Sequence, residues 1–187
     1  MKTLLAFVLL FLGCRCITTA PMSREERAYK ATVLLTKAEG GCTGVNVGDV
    51  ILTAGHCGDG EFTVHFYNGE ERTGKVVWRN DNDLAAVKLT KTYEFPSVQV
   101  GQRPRMGEFV FTFHHPAGLL YSFSRGYVMF PDRGEDFQLD ISGSYGSSGA
   151  GVFNSRGELV GIIHKFLPNH NPNIIFAVAV ENQDWRQ

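Results

Sequence analysis

Between residues 30 and 183 the chain is cut into short β-branched and aromatic runs separated by glycine, proline and asparagine. No stretch there keeps a sustained 3.6-residue apolar period, and only the last few residues from Glu181 read as helical. Residues 30 to 36 and 49 to 54 are strand-like, and residues 61 to 78 read as a hairpin turning at Asn68-Gly69. Leu84 to Leu89 forms a further strand. A second set covers 108 to 113, 119 to 130, 137 to 141, 151 to 154, 158 to 164 and 174 to 180. The sets part near Pro96 to Pro104, with Gly101 between the prolines. The pattern predicts an all-β chain of two antiparallel barrels, one over residues 30 to 95 and one over 105 to 183, with a cleft between them.

Composition agrees with this and excludes one class of partner. At 187 residues, 43% hydrophobic and 20% charged, the chain can bury a substantial core. Its 21 glycines and 12% aromatics suit short strands and tight turns. The formal net charge is −1 with no long run of one sign, which gives a nucleic acid no electrostatic footing.

Residues 1 to 20 read as targeting rather than fold. Lys2 and the apolar run Leu4 to Leu12 make a charged n-region and an h-region too short to span a bilayer, so a secretory signal peptide is expected, with 21 to 187 the mature chain. Cleavage after Ala20 leaves Pro21 next, which is unfavourable, and cleavage after Cys16 is the alternative. A minor reading acylates Cys14 as a lipid anchor. No other stretch is apolar and long enough for stable membrane insertion, so a secreted protein is expected.

Three segments carry the chemistry: Thr53-Ala54-Gly55-His56-Cys57, Asp83-Leu84-Ala85-Ala86-Val87 and Gly146-Ser147-Ser148-Gly149. A serine hydroxyl is a weak nucleophile until an imidazole takes its proton and a carboxylate fixes the imidazole's tautomer. His56, Asp83 and Ser148 fit those roles. Asp83 is preferred to Asp81 because it abuts an apolar strand that carries it inward, where a carboxylate persists only if paired. Ser148 competes with Ser142, Ser144 and Ser147, and is preferred for the glycine two residues before it and the glycine after it.

The order His, Asp, Ser and the three segments resemble the chymotrypsin-like serine peptidases, over residues 30 to 183. The family's motifs are Thr-Ala-Ala-His-Cys, Asp-(Ile/Leu)-Ala and Gly-(Asp/Asn)-Ser-Gly. The resemblance implies two six-stranded barrels, a triad of His56, Asp83 and Ser148, and an oxyanion hole from the amides of Gly146 and Ser148. It implies protein or peptide substrates, no cofactor or metal, and a monomer. In such enzymes a disulfide often ties the strand before the histidine to the residue after it, which implies a Cys42–Cys57 bond here, free thiols being the alternative.

Departures from the pattern narrow the resemblance. Ser147 stands where trypsin and chymotrypsin carry the aspartate that receives a new N-terminus on activation, so their zymogen switch has no acceptor, although Ser23 to Arg27 could be a processing site. Ala150-Gly151 replaces a Gly or Ser followed by Pro. With Leu139 to Ser142 and Val152 to Asn154, the chain looks closest in pattern to the glutamyl endopeptidases. The primary pocket would involve Ser142, Gly143, Ile163 and His164, without an aspartate to favour Arg or Lys. A one-residue shift would turn His164 away from that pocket, leaving a neutral or apolar one. His65, His114, His115 and His170 have no partner identifiable from spacing. A silent homologue that binds a protein partner in the same cleft is the second expectation, and it retains no support from a missing triad member.

Overall fold

The computed structural model describes residues 20 to 38, 40 to 167 and 174 to 185, so residues 1 to 19, with Cys14 and Cys16, and His170 lie outside the described residues. The chain forms one short helix, α1 (Arg24–Ala31), and twelve strands: β1 (Thr32–Lys37), β2 (Gly40–Asn46), β3 (Ile51–Ala54), β4 (Glu61–His65), β5 (Glu71–Arg79), β6 (Leu84–Leu89), β7 (Phe109–His114), β8 (Ser122–Arg133), β9 (Asp136–Asp140), β10 (Gly151–Asn154), β11 (Leu159–Phe166) and β12 (Ile174–Ala179). Each half closes on itself into a six-stranded antiparallel barrel, in the orders β1-β2-β3-β6-β5-β4 and β10-β11-β12-β9-β8-β7. Closure leaves neither sheet an unpaired edge.

The structure departs from the sequence expectation in several places. The segment proposed as a processing site is the first turn of α1, and the strand expected from residue 30 begins at Thr32. Ser23 caps the helix by accepting the amide of Glu26 at 3.0 Å, and Lys30 pairs with Glu26 one turn away at 2.7 Å. Among the described residues from Glu181 onward there is no helix. The glycine-rich β2 was not expected as a strand. At Gly44 a side chain would come within 2.6 Å of Ile51 Cγ2, so glycine there lets the barrel close tightly.

Three apolar clusters fix the geometry. Val33, Leu35, Ile51, Val64 and Val87 fill the first barrel, and Val128, Phe137, Leu139, Val152 and Ile175 fill the second. The largest lies between them, where Val45, Leu52, Leu84 and Ala86 meet Phe111, Phe153, Leu159, Ile162 and Val178, closed off by Ala28, Ala31 and Trp185. β10 and β11 therefore serve two cores at once. Val152 and Val160 face the barrel interior while Phe153 and Leu159 face the other barrel, which is why these strands read as unbroken apolar runs. This shared core holds the two halves of the site in register.

Candidate active site

His56 and Asp83 meet because of strand register. β3 pairs antiparallel with β6, with Ala54 opposite Leu84, so the residues just beyond the pair face each other. The Gly55 amide continues the ladder by one rung to the Asp83 carbonyl at 2.8 Å, and the chain then turns through a 3-10 segment, Gly55–Cys57. The His56 amide donates to Asp83 Oδ1 at 2.6 Å, and His56 Nδ1 lies 2.7 Å from Asp83 Oδ2. Asp83 sits at φ 61°, a left-handed conformation in which Asp and Asn are enriched. A methyl group at Gly55 would come within 2.9 Å of Asp83 Oδ1, which accounts for glycine where the family motif has alanine.

Ser148 comes from the turn before β10, and His56 Nε2 lies 2.9 Å from its Oγ. The turn docks against the first barrel: the Thr43 amide donates to the Ser148 carbonyl at 2.8 Å, and the Thr43 hydroxyl donates to the Gly146 carbonyl at 2.8 Å. Gly146 and Gly149 both have positive φ, 90° and 85°, and both pack directly on backbone carbonyls, those of His115 and Thr43. Any side chain at either position would push the turn off its support.

The peptide between Tyr145 and Gly146 is fixed in one orientation. Its carbonyl accepts from the Ala117 amide at 2.6 Å. In a trans peptide C=O and N–H point opposite ways, so the Gly146 N–H is aimed away from Ala117. Among the described residues the amides of Gly146 and Ser148 donate to no protein acceptor, which leaves both for a ligand oxygen. Ala117 itself holds a left-handed backbone at φ 51° in the loop after β7.

Beneath the turn lie two buried histidines that spacing alone did not connect to the site. His114 Nδ1 pairs with Ser147 Oγ at 2.9 Å, and Ser147 Oγ also accepts the Ser144 amide at 3.0 Å. His115 Nδ1 lies 2.9 Å from Thr43 Oγ1. The single hydroxyl proton of Thr43 goes to Gly146, so His115 donates from Nδ1. Burial pushes both imidazoles down to about 4, so they are neutral. The position that is aspartate in trypsin thus carries a neutral hydroxyl satisfied by a neutral histidine. His65 bonds Thr36 at 2.7 Å within the β1–β4 pair of the first barrel.

Charge is concentrated around His56. The hydrogen bond to Asp83 raises the His56 pKa above its ordinary value, against the opposing pull of burial. For Asp83, burial pushes the carboxyl up, but hydrogen bonds from His164 and then His56 outweigh it and hold the group well below the usual carboxylate range. His164 is the residue the sequence placed near the primary pocket. It is turned instead toward Asp83, with Nδ1 at 3.2 Å from Oδ2. Ile163 is buried in the second barrel's core, while Gly143 packs on Ile175, and the Ser142 amide donates to Ser124 Oγ at 3.0 Å.

Cys42 and Cys57 form a disulfide with Cα atoms 6.2 Å apart, so the expected bond is present. It ties the residue after His56 to the residue before Thr43, on which the turn carrying Ser148 rests. A cavity of about 690 Å³ opens beside it, lined by His56, Lys37, Asp59, Phe62 and Thr73. Among the described residues no group of His, Cys, Asp or Glu is arranged to hold a metal, and no helix is long and apolar enough to cross a membrane.

With this geometry in place, comparison with known proteins gives the family. The model of the trypsin-like peptidase domain matches residues 42 to 162. The chain belongs to the trypsin-like peptidase family. Relatives of this family that it resembles include a probable periplasmic serine protease do/HhoA-like of Haemophilus influenzae, 28% identical over 144 residues, 70% of this chain and 31% of the relative. Another is a probable periplasmic serine endoprotease DegP-like of Hahella chejuensis, 29% identical over 123 residues, 60% of this chain and 26% of the relative. The chain thus spans about a third or less of the curated relatives it matches. The crystal structure of the serine endoprotease from Yersinia pestis superposes with a TM-score of 0.76 at 26% identity, covering 86% of this chain and 64% of that one. The pattern of glutamyl endopeptidases rests on the short segments noted above, whereas these trypsin-like relatives are named DegP-like and HhoA-like.

Proposed function

We propose that this protein is a secreted serine endopeptidase that hydrolyses peptide bonds through an acyl-enzyme on Ser148. The observation that carries this is the continuous line from Asp83 to His56 to Ser148, at 2.7 and 2.9 Å, beside two uncommitted amides. Ser148 Oγ attacks the substrate carbonyl carbon as its proton passes to His56 Nε2. The Gly146 and Ser148 amides receive the developing oxyanion, and losing one such donor costs roughly 3 to 4 kcal/mol of transition-state stabilisation. The intermediate collapses with cleavage of the C–N bond, and His56 returns the proton to the leaving amine. Water, deprotonated by His56, then attacks the acyl carbon and Ser148 leaves with its proton. Asp83 holds His56 with its proton on Nδ1 and stabilises the cation that forms in each half.

The leaving side of the peptide would pass the disulfide and the cavity beside His56. The acyl side would meet Gly143 and the Tyr145–Phe166 ring pair, whose centroids lie 5.3 Å apart. Those surroundings support a neutral or apolar residue before the cleaved bond. Export is supported by the pattern of residues 1 to 20 and by the periplasmic relatives. The test is a cleavage profile of a peptide library with the purified chain. Cleavage after neutral or apolar residues, absent in Ser148→Ala, is expected, and an intact library would contradict the proposal.

A further inference from the structure

His164 lies on β11 where the sheet is interrupted. Ile163 pairs with Ala177 and Lys165 with Phe176, so His164 is an extra residue with no partner on β12. A bulge of this kind re-aims a side chain that regular alternation would send elsewhere. Here it carries a second-barrel imidazole across to a first-barrel carboxylate. The ring's Nδ1 lies 3.2 Å from Asp83 Oδ2, and its Nε2 faces Asp136 Oδ1 at 3.1 Å without the alignment of a hydrogen bond. The side chain is only 13% exposed, so water competes poorly for these contacts.

We propose that His164 is a positioning residue that donates from Nδ1 to Asp83 and locks the carboxylate in the plane that serves His56. The inference rests on the reading of Ser148 as nucleophile and deepens it. An ionised carboxylate only accepts, so the Asp83 contact requires the proton on Nδ1. Asp83 then has three donors: the His56 amide on Oδ1, and His56 Nδ1 and His164 Nδ1 on Oδ2. Two of these come from its own barrel and one from the other. The second barrel therefore touches the catalytic line at both ends, through Ser148 on His56 and through His164 on Asp83. Misdocking of the barrels would loosen both contacts together.

The test compares full-chain variants by steady-state peptide hydrolysis and by the rate of fluorophosphonate labelling of Ser148. His164→Leu keeps much of the volume and removes the donor. It should lower kcat and the labelling rate by about 10- to 100-fold, the scale of a hydrogen bond to a charged group, with KM within about twofold. His164→Asn, whose amide can occupy the place of Nδ1, should recover most of that loss, while His164→Gln, which reaches the place of Nε2, should not. In the wild-type protein, 15N–1H spectra of the imidazoles should show a proton on His164 Nδ1. Loss through KM alone, Asn no better than Gln, or a His164 protonated only at Nε2 would each overturn the inference. A wild type that takes no label overturns the reading of Ser148 and this inference with it. Equal labelling of wild type and His164→Leu overturns this inference alone.

Discussion

The two sides of the Ser148 hydroxyl are held by different physics. On the first barrel, His56 is gripped by an ionised carboxylate and sits next to a disulfide. On the second, Ser148 rides on a turn held by glycine backbone and by neutral, buried partners: His114 under Ser147, and His115 under Thr43. The division follows the path of the proton in the mechanism proposed above. The base becomes a cation during reaction, so a fixed negative charge beside it stabilises that state. The nucleophile needs only orientation, and a neutral network orients without adding a charge that would compete with the oxyanion. The base side should therefore fail when charge is removed, and the nucleophile side when charge is introduced.

The largest break is expected at Asp83. Asp83→Asn should fold, since Asn also accepts the left-handed backbone, yet lower turnover by roughly four orders of magnitude as the imidazole adopts the wrong tautomer. Asp81→Asn, on the exposed neighbour, should do little. Steady-state rates with circular dichroism check both, and an equal loss at the two positions would mean that charge at Asp83 is not what holds His56.

Removing the disulfide probes the covalent part of that same side. Cys42→Ser with Cys57→Ser should cost about 2 to 5 kcal/mol in denaturant unfolding. The residual folded protein should keep its Asp83–His56 contact, since both residues also pair through the β3–β6 ladder. A double variant as stable as the wild type would place the rigidity of the base elsewhere.

Acid should act first on the nucleophile side. His114 and His115 have folded pKa values of about 4 against an ordinary 6.5, so the unfolded chain binds more protons between those values. Their contribution should therefore fall as pH drops from 6.5 toward 4 and level off below. His56 works in the opposite direction: its raised pKa contributes stability that is fully present below 6.5 and lost as pH rises through its folded value. Asp83, whose pKa is depressed, keeps its contribution until pH falls below its ordinary 3.8. Urea titrations across this range check the window, and stability that stays flat from 6.5 to 4 would deny the neutral network its role.

The smallest effect is at Ser147. Ser147→Ala leaves His114 Nδ1 and the Ser144 amide without their shared partner in a buried place, and should cost about 1 to 3 kcal/mol of stability. The folded fraction should still take label at Ser148. Loss of labelling without loss of stability would show that Ser147 does more than support the turn.

The same contrast governs what could be read from the sequence. Strands 84 to 89 and 151 to 154 and the three motif segments were legible because each is a local pattern of apolar and turn residues. β2 was not, since Gly40, Gly41 and Gly44 carry no strand propensity and their value lies in close packing. The helix α1 spans only eight residues, too few for an apolar period, though Ser23 followed three residues later by Glu26 was a capping signal. On the base side, the partner of His56 lies in a motif of its own. On the nucleophile side, His115 and Thr43 are 72 residues apart and His114 and Ser147 are 33 apart, and only the closed barrels bring them together. For His164 the sequence allowed that a one-residue shift turns it from the pocket, but its contact with Asp83 was not legible, because it depends on a single-residue bulge and on a carboxylate 81 residues away.

The central claim is that Ser148 is a nucleophile made reactive by His56. Its most direct measurement is the rate of fluorophosphonate adduct formation followed by intact mass across pH, with the adduct mapped to its peptide. One adduct on Ser148 is predicted, absent in Ser148→Ala, with a rate that rises with pH through a midpoint above the ordinary imidazole value of 6.5. An adduct elsewhere, a label that persists in Ser148→Ala, or a rate that does not change with pH would contradict it.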